Sequence, residues 1–305
     1  ITLNFNYYIT IYRIVNKNNI ENWVILLILS IIWGSSFILM KKSLIAFSYL
    51  EVAFFRLIIA FFVLSPFFIS SFKNMKTIYI IPILIVSIIG TLIPAILFAF
   101  AQVYLDSANT GMLNALTPIF TFIIGLVFFK KKWNHTAILG IIIGLWGSYV
   151  LLMPSNQNII NTKYSLIVIC ATMCYAISIN TIQDKLKELK PLDIAVISSF
   201  FSFIIPISYF LNHGIIITIE KIYTNLLSFC YLIVLGMICT SFAIILFNHL
   251  IKNTSAVFGS STTYLIPVFA IIWGVIDNEI IENHEIIGII IILFGVLVMN
   301  YKKLE

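Results

Sequence analysis

Apolar residues fill this chain in long runs with short polar breaks between them. The runs cover 23–42, 50–71, 78–103, 107–129, 136–153, 164–182, 192–211, 224–250, 254–276 and 284–301, and charge is confined to their ends except at Arg56. A helix needs about 20 apolar residues to cross a bilayer. The runs are apolar all round, not on one stripe, which is the pattern of a helix facing lipid or a buried interior. Taken as stretches 1 to 10, they predict an all-α integral membrane protein with ten transmembrane helices.

The pattern repeats. Leu50-Glu51-Val52-Ala53 returns as Leu192-Asp193-Ile194-Ala195, and positions 33–64 match 175–206 at a constant offset of 142. Gly90 matches Gly236, and Pro118, Phe120 and Gly125 match Pro267, Phe269 and Gly274. Gly140 and Gly147 match Gly288 and Gly295. Loop charge is opposed: Lys130-Lys131-Lys132 stands where the second copy has Asp277, Glu279, Glu282 and Glu285. Loop cations set orientation, so the halves are expected upside down relative to each other. Two inverted five-helix repeats around a central cavity are a common transporter architecture. The expected divisions are an N-terminal cytoplasmic segment, 1–22, and repeats over 23–153 and 164–301.

With the N-terminus inside, Arg13, Lys17, Lys73, Lys76, Lys130, Lys131, Lys132, Lys185, Lys187, Lys190, Lys252, Lys302 and Lys303 all fall on the inner side. Only Lys41, Lys42, Lys163 and Lys221 fall outside. Both termini are therefore expected in the cytoplasm of a cell with this protein in its inner (plasma) membrane. No cleavable leader pattern is visible in residues 1–22.

Composition agrees with lipid as the outer solvent. Of 305 residues, 61% are hydrophobic and 10% charged, against about 25% charged in soluble domains. The net charge of +6 is spread over loops, so it reads as topology and not as nucleic-acid binding. Cys170, Cys174, Cys230 and Cys239 fall inside apolar runs without neighbouring ligands, so no metal is expected. There is no phosphate-binding Gly-Lys-Ser/Thr loop and no nucleophile elbow. His135, His213, His249 and His284 stand apart near helix ends. No catalytic residue and no cofactor is expected.

Trp33-Gly34-Ser35-Ser36-Phe37, Phe55-Arg56-Leu57, Ala115-Leu116-Thr117-Pro118-Ile119-Phe120 and Tyr264-Leu265-Ile266-Pro267-Val268-Phe269 resemble, in order and spacing, the motifs of EamA-type members of the drug/metabolite transporter superfamily. The helices from Gly140 to Gly147 and Gly288 to Gly295 resemble those that close each half. The resemblance covers about 23–302. It implies the ten-helix inverted repeat, a central cavity and solute transport, often export of amino acids or related metabolites. The superfamily also holds carriers of sugar phosphates and nucleotide sugars.

Polar residues within the stretches are the candidate substrate contacts. Trp33 and Ser36 share a face of stretch 1, and their twins Tyr175 and Ser178 share one in stretch 6. Two aromatics across a pseudo-twofold axis can sandwich an apolar or cationic group, or simply pack. Gln102 and Asn248 are twins near the ends of stretches 3 and 8, and Asn114 with Thr117, and Thr263 with Tyr264, precede the paired prolines. Pro118 and Pro267 each remove a backbone donor, and kinks at equivalent places would serve as hinges. Arg56 is the one cation deep in a stretch, with Ser198 as its twin. It either snorkels or meets a substrate carboxylate or an outer gate. Glu51 and Asp193 lie in first turns, where they suit the helix dipole. With no carboxylate at mid-membrane, proton antiport through a buried acid is disfavoured. Gly140 and Gly144 form a GxxxG pair for close packing within the chain or in a homodimer.

The expected function is secondary transport, by alternating access and in the export direction, of a small metabolite such as an amino acid or amine-like compound. A nucleotide-sugar or sugar-phosphate carrier would need clustered cations, an intramembrane enzyme paired acids or a nucleophile and base, and a scaffold no wet cavity. Single cysteines placed at 130–132 and at 277–285 are expected to react with impermeant thiol reagents from opposite faces. Labelling of both from one face would refute the inversion.

Overall fold

The computed structural model describes residues 2–73, 75–130, 135–151, 159–213 and 215–300, and gives no strand among them. At 2–19, 135, 137, 148, 159–162, 213, 215–218, 261, 296, 299 and 300 only the backbone is described. Lys131, Lys132, Lys302 and Lys303 lie outside the described residues, and of Arg13, Lys17, His135 and His213 only the backbone lies within them.

In lipid a segment must satisfy its own N–H and C=O groups, so apolar runs become helices. They are α1 (Thr2–Leu44), α2 (Tyr49–Lys73), α3 (Thr77–Ala101), α4 (Ser107–Phe129), α5 (His135–Leu151) and α6 (Ile159–Lys185). There follow α7 (Pro191–His213), α8 (Ile215–Thr224), α9 (Leu226–Asn253), α10 (Ala256–Ile276) and α11 (Asn283–Asn300). Among the described residues eight helices are long and apolar enough to cross a membrane: α2, α3, α4, α9, α10 and the Ile20–Leu44, Lys163–Lys185 and Pro191–Asn212 parts of α1, α6 and α7.

Two of the ten expected crossings fall short. The apolar parts of α5 and α11 are Ile138–Leu151 and Asn283–Gly295. With 17 and 18 residues in all, these helices span about 26 and 27 Å, slightly under a hydrocarbon core of about 30 Å. The short α8 was not expected. Residues 2–22, expected as a separate segment, continue α1 without a break.

Counterpart helices of the two halves meet. α2 packs on α7, α4 on α10 and α5 on α11. α1 lies against α9 and α10, and α6 lies reciprocally against α3 and α4. α5 and α11 are antiparallel: Gly288 is at Leu151, Ile292 at Gly147, and Gly295 at Gly144 and Gly140. α4 and α10 are antiparallel as well, with Ala108 at Gly274 and Gly111 at Ala270.

The small-residue face of α5 is thus used inside the chain. A Cβ at Gly295 would lie 2.6 Å from the Gly144 nitrogen and 2.7 Å from the Gly140 carbonyl oxygen. These are backbone atoms, which cannot swing aside. Gly295→Ala is expected to force α5 and α11 apart and cost about 1–3 kcal/mol of stability. A thermal-unfolding midpoint in detergent equal to that of the parent would show that the contact is looser than described.

Candidate functional site

The long helices enclose a cavity of about 110 Å³. Trp33, Ser36 and Phe37 of α1, Arg56 of α2, and Gly90, Thr91 and Phe98 of α3 line it, with Asn114 and Thr117 of α4. The second half adds Tyr175 and Ser178 of α6, Ser198 of α7, Cys239, Thr240, Phe247 and Asn248 of α9, and Thr263 of α10. Among the described residues α5 and α11 contribute none to the lining.

Local departures from α geometry shape this wall. α3 widens into a π-helix over Ile85–Leu92, and α9 does so over Met237–Phe242. A π turn shifts backbone bonding to the fifth residue back and often marks a functional site. Hydroxyls stabilise both turns. Thr91 donates to the Val86 carbonyl at 3.1 Å, Thr240 to Leu235 at 2.9 Å and Ser241 to Gly236 at 2.9 Å. Ser87 and Ser241 also donate to Ser198 and Ala60 carbonyls on the neighbouring α7 and α2, at 2.8 and 3.2 Å.

The prolines use a related device. Pro118 and Pro267 each sit in the first turn of an α-helical segment entered through a 3₁₀ turn, at Asn114–Leu116 and Ser261–Tyr264. The N–H that proline lacks is an unused donor at a helix start anyway. Thr117 donates to the Asn114 carbonyl at 2.8 Å and to its side-chain oxygen at 3.1 Å. Thr263 donates to the Ser260 carbonyl at 2.8 Å.

The twin aromatics are held differently. Trp33 Nε1 donates to the Cys239 carbonyl in the π turn at 3.0 Å, and its ring meets Phe247 edge-on at 4.9 Å. Tyr175 stacks on Phe98 with centroids 5.6 Å apart. Arg56 reaches across to α9, where its Nε donates to Thr240 Oγ1 at 2.6 Å. Its side chain is directed to the cavity wall and not to the membrane surface.

Nine of the eleven candidate contacts therefore meet in one cavity: Trp33, Ser36, Arg56, Asn114, Thr117, Tyr175, Ser178, Asn248 and Thr263. Gln102 and Tyr264 do not join them. Gln102 is buried, with its amide donating to the Phe37 carbonyl at 3.1 Å and its oxygen unpaired among the described residues. Tyr264 packs against the main core. Sequence reasoning missed Thr91 and Thr240. The signal was a glycine followed closely by hydroxyls, Gly90-Thr91 and Gly236 to Ser241, in equivalent stretches. Among the described residues no group of three or more His, Cys, Asp or Glu could hold a metal.

The model of one protein family, described as the EamA-like transporter family, matches residues 22–153 and again 162–301. The chain belongs to the EamA-like transporter family. It is similar to an uncharacterized transporter of Archaeoglobus fulgidus, 22% identical over 93% of this chain and 100% of the relative. An uncharacterized transporter of Clostridium kluyveri is 26% identical over 67% of this chain and 66% of its own length. The uncharacterized transporter YcxC of Bacillus subtilis is 24% identical over 70% of this chain and 71% of its own length. A crystal structure with TM-score 0.60 covers 93% of this chain and 99% of its own at 12% identity. That likeness shows the fold alone. Family and apolar helices together make this a multi-pass membrane protein with a general transporter role.

In this EamA-like chain the charges that the sequence marked only as topology signals gather into one cluster. Glu279, after α10, has a side chain only 1% exposed. One of its carboxylate oxygens accepts from Lys41 Nζ at 2.7 Å, Ser107 Oγ at 2.6 Å and the Ser107 N–H at 3.0 Å; the other accepts from the Ala108 N–H at 2.9 Å. It thus caps α4 and ties it to α1 across the two halves. Lys41 also meets Asp277 at 3.0 Å and Asp106 at 3.8 Å, and Lys42 pairs with Asp277. At the same end Lys221 reaches Glu51 at 2.7 Å, and Glu51 closes a capping box with Ser48 at the start of α2.

Burial alone would raise the Glu279 pKa, but hydrogen bonds from Lys41, Ser107 and the Ala108 N–H outweigh it and hold the group below its ordinary 4.5. The Lys42 hydrogen bond leads in lowering Asp277. Burial, then the charge of Glu279, push Asp106 up from 3.8. A lowered folded-state pKa makes ionised Glu279 stabilising above its unfolded value, and this is lost as pH falls through the folded one. Asp106 has the opposite sign: its raised pKa costs stability as pH climbs from 3.8 through the folded value. Glu279→Gln is expected to destabilise the protein at pH 7 by about 1.5–3 kcal/mol, and to flatten the loss of thermal midpoint below about pH 4.5. An unchanged midpoint-against-pH curve would show that the cluster carries no net stability.

Proposed function

We propose that this EamA-like protein is a secondary transporter that exports a small organic metabolite, such as an amino acid, by alternating access. The observation that carries this reading is the cavity itself. It lies between the two halves, its walls alternate aromatic, amide and hydroxyl groups, and every long helix contributes to it. A solute site between repeats is what alternating access requires.

Inverted halves are supported by the antiparallel contacts of α4 with α10 and α5 with α11. Lys130 ends α4, and Glu279 caps the other end of the same helix. The two loop-charge groups thus lie about a membrane thickness apart. In this reading α5 and α11 complete ten crossings, the repeats run over 23–153 and 164–301, and the 3₁₀ turns before Pro118 and Pro267 are the paired hinges. A bacterial-type inner membrane with both termini cytoplasmic fits the loop cations. The single cation among the described lining residues disfavours sugar phosphates and nucleotide sugars, whose charge calls for several. It also makes an amine-like cation a poorer solute than an amino acid.

Purified protein in proteoliposomes is expected to move at least one labelled amino acid down its gradient, and Trp33→Ala to slow that flux by roughly tenfold through loss of an aromatic wall. Absence of flux in either direction for every one of the twenty amino acids and for a set of short organic acids would overturn the transporter reading.

A further inference from the structure

Among the described residues Arg56 is the only charged side chain that lines the cavity. It lies within a membrane-crossing helix, where a charge is costly unless paired. Its Nε is satisfied by Thr240 Oγ1 at 2.6 Å. Among the described residues no carboxylate lies within 4.0 Å of it, and no acceptor is hydrogen-bonded to its terminal nitrogens. Acids do occur in the protein, but the paired ones sit at the helix ends, engaged with Lys41, Lys42 and Lys221. The guanidinium is thus oriented from one edge while its outer edge, two parallel N–H groups, is left open. That edge matches a carboxylate in bidentate geometry.

The rest of the wall, among the described residues, offers no second charge. Trp33, Phe98, Tyr175 and Phe247 present ring surface, and Asn114 and Ser178 present neutral polar groups. About 10–15 Å³ of such space holds one water. The cavity of about 110 Å³ therefore has room for several waters, and for a compact solute in their place. We infer that Arg56 is the specificity-determining residue of this cavity and that its solute is a compact monocarboxylate with an apolar body. The carboxylate docks on the open edge of the guanidinium and the body lies among the aromatic rings. A free amine is rejected, because it meets a like charge and no acid. An α-ammonium is tolerated without being required. This inference rests on the transporter reading above and narrows its solute.

The test uses the full chain in proteoliposomes and three compounds sharing one isobutyl body. They are valine, its deaminated acid 3-methylbutanoate, and its decarboxylated amine isobutylamine. Uptake of each labelled compound is measured for the parent, Arg56→Lys, Arg56→Gln and Thr240→Val. The expected result is transport of valine and 3-methylbutanoate and not of isobutylamine. Arg56→Gln is expected to lose roughly 30-fold or more in kcat/KM for both acids. Arg56→Lys, which keeps the charge without the fork, is expected to recover part of that loss. Thr240→Val, which frees the guanidinium from its anchor, is expected to raise KM for the acids more than it lowers kcat. Solubilised variants that keep the parent's thermal midpoint separate this from misfolding, and the lysine and Thr240 variants carry the test if the glutamine variant does not fold. Isobutylamine moved as well as the acids, or acid transport indifferent to Arg56, overturns the inference and leaves the transporter reading standing. No transport of any compound here or among the amino acids overturns both.

Discussion

Inside a bilayer every backbone carbonyl must find a donor within the protein, and at four places inside its crossings this chain leaves regular α geometry beside the cavity. The π turns at Ile85–Leu92 and Met237–Phe242 and the 3₁₀ turns at Asn114–Leu116 and Ser261–Tyr264 come as two pairs in matching helices. Each is stabilised by hydroxyls, and each contributes to the cavity wall. Irregular backbone at membrane depth is tolerated only where protein or a hydrated cavity receives it. The cavity and these four irregular turns are therefore one feature. Without the cavity the π turns would be unpaired defects, and without the π turns the Cys239 carbonyl would not be free to hold Trp33 Nε1.

Charge obeys the same rule from the other direction. Lys41, Lys42, Asp106, Asp277 and Glu279 collect at one set of helix ends, where the buried Glu279 caps α4 and the partly exposed lysines keep contact with water. Burying a carboxylate this deeply is tolerated because two backbone N–H groups, a hydroxyl and an ammonium replace its hydration. Arg56 has no such set, which is why it stands out from the ionised groups paired at the helix ends.

Much of this was legible in the sequence. Apolar run length gave the helices, because lipid imposes one length scale on all of them. The twin glycines marked a close-packing face on α5, because a backbone-to-backbone approach needs a residue without a side chain, but not whether another helix of the chain or a second copy would fill it. Nine cavity contacts were legible because a polar residue at mid-membrane has few other uses. Gln102 failed that logic: it sits at the end of α3, where the Phe37 carbonyl at the neighbouring end of α1 gives its amide a purely structural partner. The π turns were not legible, since they differ from an α-helix by one residue per turn and leave no change in hydropathy. The Lys41–Glu279 cluster was hidden for another reason. Its members were visible as loop charges, but their joining depends on how α1, α4 and α10 pack, and no local pattern encodes that.

What the two halves share and where they differ then explains the site. The duplicated features are uncharged: π turns, 3₁₀–proline junctions, Ser36 with Ser178, and an aromatic at 33 and at 175. These build a wet, walled space and say little about what enters it. The divergent pair is Arg56 and Ser198, and both line the cavity. Two arginines there would repel by about 2 kcal/mol at a separation of 8 Å and an effective dielectric of about 20. With no acid in the wall, each would add its own desolvation cost. One arginine opposite a serine keeps a single fixed charge, and a solute carrying one negative group is enough to neutralise it. In the proposed reading, duplication supplies the vessel in this chain, and the break in its symmetry supplies the selectivity.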